Sequence, residues 1–198
     1  MFGRWRKMRA DRKLWRQAAS LPELCELMAR WLEGELSMWP GYADGAADET
    51  ADLVPVLARA NRAGLLTDQS QPGVDGPGFD GARWQQRAAV SGLVADEQVL
   101  YALARVAEAH RLTILVRSAD DTSERPGVTC TRVDGESSTV FGRQLSRRDL
   151  RLIWRTVSWK ALGEIEGAWQ VTLVDPEFGR NDRLWPALDE VIGQLAAA

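Results

Sequence analysis

Apolar residues recur every three or four positions in some stretches of the chain and alternate or run together in others. Leu24, Leu27, Met28, Trp31 and Leu32 share one wide face across residues 20–36, which predicts a core helix. Ser20 stands at its N-cap, Pro22 in its first turn and Glu23 at the capping-box position. Leu53, Leu57 and Ala60 define a shorter helix that starts near Thr50 or Asp52, accepts Pro55 in its first turn and stops at Gly64. Residues 64–67 continue as a strand beside it. Residues 84–94 read as one long strand or a strand pair. Asp96 caps a helix through His110, with Leu100, Leu103, Val106 and Ala107 inward, and residues 112–116 form a buried strand. Residues 128–133 and 138–141 predict a hairpin around Asp134-Gly135. Ser146 with Asp149 opens a helix through Val157. Residues 159–165 and 169–175 read as strands. A last helix, capped by Asn181 or Asp182, has Pro186 in its first turn and Leu188, Val191, Ile192 and Leu195 beneath. The alternation predicts one mixed α/β domain, and the absence of a strand followed by a glycine-rich turn argues against a Rossmann fold.

Composition adds limits. A chain of 198 residues with 45% hydrophobic content builds one domain with a proper core. Two cysteines, Cys25 and Cys130, lie far apart without metal-like spacing, so free thiols in a reducing cytoplasm are expected. No apolar run reaches the length of a membrane span, and the basic start lacks the apolar segment of a secretory signal. A net charge of −3 gives no general case for nucleic acid. That charge is unevenly spread: seven basic residues against Asp11 alone give residues 1–16 a charge of +6, leaving −9 on the remainder. Phe2, Trp5, Met8 and Trp15 stripe this segment at roughly helical spacing. Residues 1–18 are therefore read as a basic amphipathic segment and residues 19–198 as the domain proper. The segment either docks Trp5 and Trp15 on the domain or contacts a partner protein, a nucleic acid or an anionic surface. Gly76, Gly78 and Gly81 spell G-x-G-x-x-G, but no strand leads in, no helix opens inside and Pro77 interrupts, so a dinucleotide fingerprint is rejected.

The chemistry concentrates in two short polar clusters. Glu49-Thr50 marks the start of the short helix, and Thr67, Ser70, Gln71 and Pro72 mark the strand and turn that follow it. Side-chain oxygens at a helix start, facing a turn of hydroxyls and backbone N–H groups, make a small polar pocket. Trp39 and Tyr42 lie in the loop that leads to Glu49 and suit either packing or stacking on a flat base. His110, the sole histidine, ends a helix where a cation favours the dipole.

Glu49-Thr50, Asn61-Arg62, Gly64, Leu66-Thr67 and Ser70-Gln71-Pro72 resemble the E-T, N-R-x-G-x-L-T and S-Q-P motifs of the regulatory domain of eukaryotic-type methylenetetrahydrofolate reductase. A second block, Leu173-Val174-Asp175, Phe178, Asn181-Asp182, Leu184-Trp185 and Val191 to Leu195, resembles that family's final strand and helix. The resemblance implies a single domain of β-sheets surrounded by helices, not a doubly wound sheet, in a stand-alone, bacterial-type chain. A folate-reductase barrel alone needs roughly 250 residues, more than this sequence holds. It also implies binding of S-adenosylmethionine or S-adenosylhomocysteine by Glu49, Thr50, Thr67, Ser70, Gln71 and Thr129, with Ala46, Ala47 and Asp48 lining the approach. Gln144 stands where the family has a further threonine. Asp48 adds negative charge beside Glu49, which favours the sulfonium cation over the neutral thioether.

Two classes of function remain open. One is a non-catalytic sensor or regulatory subunit without metal, acting on a partner protein or a second copy of itself. The other is an enzyme that cleaves S-adenosylmethionine or transfers its methyl group. A protein- or nucleic-acid-interaction factor using the basic N-terminus is a weaker third.

Overall fold

The computed structural model describes residues 2–45, 47–78, 80–122 and 125–197, with side chains from residue 6 onward. Seven helices and seven strands follow in the order α1 (Phe2–Gln17), α2 (Leu21–Leu32), a 3-10 helix (Asp48–Leu53), α3 (Val54–Arg62), β1 (Leu66–Gln71), β2 (Val74–Pro77), β3 (Arg83–Val94), α4 (Glu97–Ala109), β4 (Thr113–Arg117), β5 (Val128–Val133), β6 (Glu136–Phe141), α5 (Arg147–Ile153), α6 (Trp159–Gly167), β7 (Trp169–Phe178) and α7 (Leu184–Ala196). The fold is mixed α/β, and every strand pairing is antiparallel.

β3 organises the sheet. Its Ala88–Val94 half is buried on both faces, as a strand covered on both sides must be. Along one edge it pairs with β1 and then β2, a single line broken only at Pro72-Gly73. Along the other edge Trp84–Gln86 pair with β5, and the half above pairs with β7, with an irregularity between Arg87 and Ala89. The seven-stranded sheet therefore forks at Arg87–Ala89. One prong runs through β7 to β4, the other through β5 to β6.

Alternation of side chains carries neighbours to opposite sides of a strand. Ala88, Val90 and Leu173 join the main core with α2, α3, α4 and α7, whereas Ala89, Val174, Cys130 and Phe141 form a small separate cluster. Trp15 is fully buried, its indole N–H donating to the Met38 carbonyl at 2.9 Å, and its ring lies 6.4 Å from Trp154. Asp11 is buried too and accepts from the backbone N–H and hydroxyl of Ser37. From Asp11 onward α1 is thus docked on the fold, while Arg6, Lys7, Arg9, Arg12, Lys13 and Arg16 stay in water. The side chains of Phe2 and Trp5 lie outside the described residues. No helix among the described residues is long and apolar enough to cross a membrane.

Four local expectations change. Residues 159–165 form helix α6 rather than a strand. Ser158 caps it by accepting from the Ala161 N–H at 3.2 Å, and Ala161 and Ile165, four apart, are both fully buried. A period of two would have buried Trp159 with Ala161, yet Trp159 is 80% exposed. The segment after Pro72 is strand β2, and its glycines build the turn into β3, where the Gly78 N–H donates to the Ala82 carbonyl. A turn of 3-10 helix precedes α3. Finally, neither Asn181 nor Asp182 caps α7, whose N-cap position is Arg183, because Asn181 is engaged elsewhere.

Candidate ligand-binding site

The motif residues first prove to be structural. Asn61, with no exposed surface, donates to the Leu57 carbonyl at 2.8 Å and to the Thr67 hydroxyl at 2.7 Å, and accepts from the Thr67 N–H at 3.0 Å. It therefore staples the end of α3 to the start of β1. Gly64 makes the turn between them with φ of +100°, a conformation open chiefly to glycine. Arg62 forks between Glu26 and Glu33 and holds the Glu33 carboxyl below its usual range. Leu66 is fully buried.

The two blocks singled out in the sequence then meet. Asn181 accepts from the Gly73 N–H and donates to the Gly73 carbonyl, both at 2.7 Å, and also accepts from the Trp185 indole. The turn after Ser70-Gln71-Pro72 is thereby clamped to the loop between β7 and α7. That loop is held by Asp175, which has no exposed surface and forks onto Arg180 at 2.5 and 2.8 Å. Phe178 lies under two guanidiniums, with Arg87 at 4.3 Å and Arg132 at 5.1 Å from its ring centre.

These restraints shape a cavity of about 830 Å³ between α2, the loop of residues 39–45, the 3-10 helix, β1, β2, β3 and β6. Glu49-Thr50 and Thr67, Ser70 and Gln71 all line it, as does Ala47. Trp31, Trp39, Tyr42, Trp84 and Phe141 give it aromatic walls. Trp39 is held by rings on two sides, Trp31 at 6.2 Å and Trp154 at 5.3 Å. A side chain on Gly41 would strike the Trp39 ring, so glycine there lets the loop fold flat over the indole. Its size falls within the roughly 300–1,000 Å³ of small-molecule sites.

The polar groups differ in what they have left to offer. The carboxylate of Glu49 and the hydroxyls of Thr50 and Ser70 make no hydrogen bond to another described residue. The Thr67 hydroxyl is already accepting from Asn61, leaving its proton. Both amide hydrogens of Gln71 are engaged by the carbonyls of Arg87 and Cys130, and its oxygen accepts from Thr131. Gln71 bridges the fork of the sheet rather than offering its amide to the cavity.

Two expected residues are absent from the lining. Asp48 is exposed and does not line the cavity. Thr129 bonds Ser137 across the hairpin at 3.0 Å, because irregularities in the β5–β6 ladder shift which threonines face inward; Thr139 lines the cavity instead. Gln144 donates to the carbonyls of Ser118 and Asp121, outside the cavity. Ala46 lies outside the described residues.

The group that sequence reasoning missed is Asp68. It sits at the irregularity between Thr67 and Gln69, with no partner in the β1–β3 ladder, and such bulges re-aim side chains. One of its carboxylate oxygens is shut off from solvent without a hydrogen-bond partner. Burial, outweighing two backbone N–H groups, pushes its pKa up to about 6. Gln86, buried on β3, lines the same cavity. The other reactive groups lie elsewhere. His110 bonds Glu190 at 2.8 Å across α4 and α7, and burial raises the thiols of Cys25 to about 12 and Cys130 to about 11. Among the described residues no cluster of three or more His, Cys, Asp or Glu could hold a metal ion.

The domain is thus a forked antiparallel sheet with a roomy aromatic cavity against its β1 side. The chain belongs to the family described as a domain of unknown function, DUF6919, whose model matches residues 10–196. No curated protein matches it.

Proposed function

We propose that this domain is a non-catalytic binding module for S-adenosylmethionine or S-adenosylhomocysteine, acting as a sensor or regulatory subunit. The observation that carries the reading is the opening of the Glu49-Thr50 and Thr67–Gln71 clusters into one cavity. The resemblance to the reductase's regulatory domain supplies the ligand class. An adenosyl amino acid needs acceptors for an ammonium and a ribose diol, a flat apolar slot for the base and negative charge near a sulfonium. Glu49, Thr50 and Ser70 supply the first, the tryptophans the second, and Asp68 the third. Trp39 or Trp84 beside the sulfonium adds about 0.5–2 kcal/mol of cation–π attraction. The exposed basic face of α1 is where such a module contacts a partner. Calorimetry with each ligand, followed by chromatography of the mixture after hours, tests the reading. Unchanged bound ligand supports it; no heat with either ligand ends it. Glu49→Ala weakens binding by about 1–3 kcal/mol, the loss expected when a charged partner of a buried polar group is removed, and Ser70→Ala by less.

One observation favours an enzyme instead. A half-buried carboxyl with a pKa near 6 in a cavity is the kind of group that moves protons. Adenosine, homoserine lactone or methylthioadenosine in the chromatogram would establish that reading.

Asp68 also makes binding pH-dependent. The sulfonium keeps its charge at every pH and the thioether has none, so their ratio follows the protein's own titration. As pH rises through about 6, Asp68 ionises and the preference for S-adenosylmethionine rises roughly fivefold, the size of a ~1 kcal/mol Coulomb interaction. Asp68→Asn flattens this profile in calorimetry at pH 5 and 7.5. The stability of the empty domain runs the other way. Its folded carboxyl titrates above its ordinary 3.8, so the fold binds more protons than the open chain between these values. Stability falls as pH rises through that window, and Asp68→Asn removes the loss.

A further inference from the structure

Behind the wall formed by Trp39, Gly41, Asp68 and Gln69 lies a second cavity of about 620 Å³. It is bounded by the upper halves of β3 and β7, the end of β4, the turn after β6 and the end of α5. Its chemistry is opposite in sign to the first. Arg117, at the end of β4, is only 7% exposed and lines it. The Nε of that guanidinium is buried without any partner, and its other nitrogens reach only the carbonyls of Val116 and Pro126, both at 3.5 Å. No described carboxylate forms an ion pair with it. Arg143 and Arg155, both exposed, line the same cavity and likewise have no ion pair among the described residues. The neighbouring polar groups are satisfied already. Ser91 bonds Thr172, and Gln170 bonds the backbone of Leu145 in both directions.

An unpaired buried cation is costly, and arginines in proteins are ordinarily buried with a counter-charge. A guanidinium is also the side chain best shaped for two-point contact with an oxyanion. Three arginines around one cavity, facing the single wall carboxylate of Asp68, call for more than one negative charge. We propose that this cavity is an anion site that takes a phosphate-bearing small molecule. The buried Arg117 holds the phosphate in a two-point pair, and Arg143 and Arg155 close over it from the rim. Leu145, Leu152 and Ile153 give room for an apolar part of the same molecule. The site is separate from the adenosyl reading of the first cavity, and it stands whether or not that reading does.

The test uses the full chain with inorganic phosphate and pyrophosphate as probes, malonate as the carboxylate comparison and chloride to match ionic strength. Thermal unfolding and calorimetry are the readouts. The wild-type chain gains thermal stability with pyrophosphate beyond the chloride control, more than with malonate. Arg117→Met keeps the length of the stem and removes the charge. It melts no lower than wild type without phosphate, because no ion pair is lost, and it no longer responds to pyrophosphate. Arg143→Gln with Arg155→Gln, changes at exposed positions, weakens pyrophosphate by at least about tenfold, as loss of charged hydrogen bonds implies. Malonate acting as strongly as pyrophosphate moves the site to carboxylates and overturns the phosphate assignment. Pyrophosphate no better than chloride overturns the proposal, and so does an undiminished response in the rim double variant. If Arg117→Met fails to fold, the guanidinium is a structural group and the assignment to it falls.

Discussion

Asp175→Ala lowers the melting temperature by roughly 6–12 °C, about 3 kcal/mol for a domain of this size. Asp175 has no exposed surface and forks onto Arg180 while also accepting from the Glu177 N–H. Removing the carboxylate strands a largely buried guanidinium, which is more damaging than deleting both partners. The loss stays at the lower end because Arg180 keeps a second contact, with Glu177 at 2.7 Å. Adding Arg180→Met to Asp175→Ala therefore restores part of the stability, a coupling that a double-mutant cycle in urea reads directly. The functional consequence comes through position. The same loop carries Asn181 to Gly73, and Gly73 follows the strand that supplies Thr67, Asp68 and Ser70. On the proposed adenosyl-binding reading, the variant also loses affinity even though Asp175 does not line the cavity. A melting point within 2 °C of wild type would show that the pair is replaceable by water.

What the sequence made legible was local chemistry. Ser20 accepts from the Glu23 N–H, Asp96 from the Gln98 N–H, and Ser146 and Asp149 form the reciprocal capping box. Each of these is settled within four residues. The hairpin at Asp134-Gly135 turns with φ of +49° and +87°, as those two residue types allow. Pattern failed where the deciding partner was distant. The strand reading of residues 159–165 followed its apolar residues and missed Ser158, whose hydroxyl both caps α6 and donates to Ala18. Asp68 was missed because a bulge has no signature in a period of two. Thr129 was placed at the site by family spacing and excluded by a ladder shift that no local rule contains. Asn181, read as a cap, clamps a turn 108 positions away. The polar clusters themselves, Glu49-Thr50 and Thr67 to Gln71, were visible as residue types. Their division into free groups and structural ones depended on hydrogen bonds to Asn61, Arg87, Cys130 and Thr131.

Gln71 gives the sharpest separation of those two roles. Gln71→Leu, which keeps the bulk and removes the amide, costs about 3 kcal/mol. Three buried groups lose their partner at once: the carbonyls of Arg87 and Cys130 and the hydroxyl of Thr131, at about 1 kcal/mol or more each. Ordinary ladder bonds cannot replace them, because this is where β3 exchanges β7 for β5 along one edge. The effect on stability therefore exceeds that of Glu49→Ala, whose carboxylate is exposed and unpaired among the described residues. The two variants differ in kind as well. Glu49→Ala leaves the unfolding free energy in urea within about 0.5 kcal/mol of wild type, as exposed positions do, and on the proposed reading changes affinity alone. Gln71→Leu moves the midpoint first, and affinity falls only as far as the cavity wall loosens. Gln71→Glu keeps an acceptor for Thr131 but turns a donor toward two carbonyls into a second acceptor, and it is more damaging than leucine at pH 7. If instead Gln71→Leu unfolds with the wild-type midpoint while binding disappears, the amide belongs to the ligand and the fork is held by its backbone.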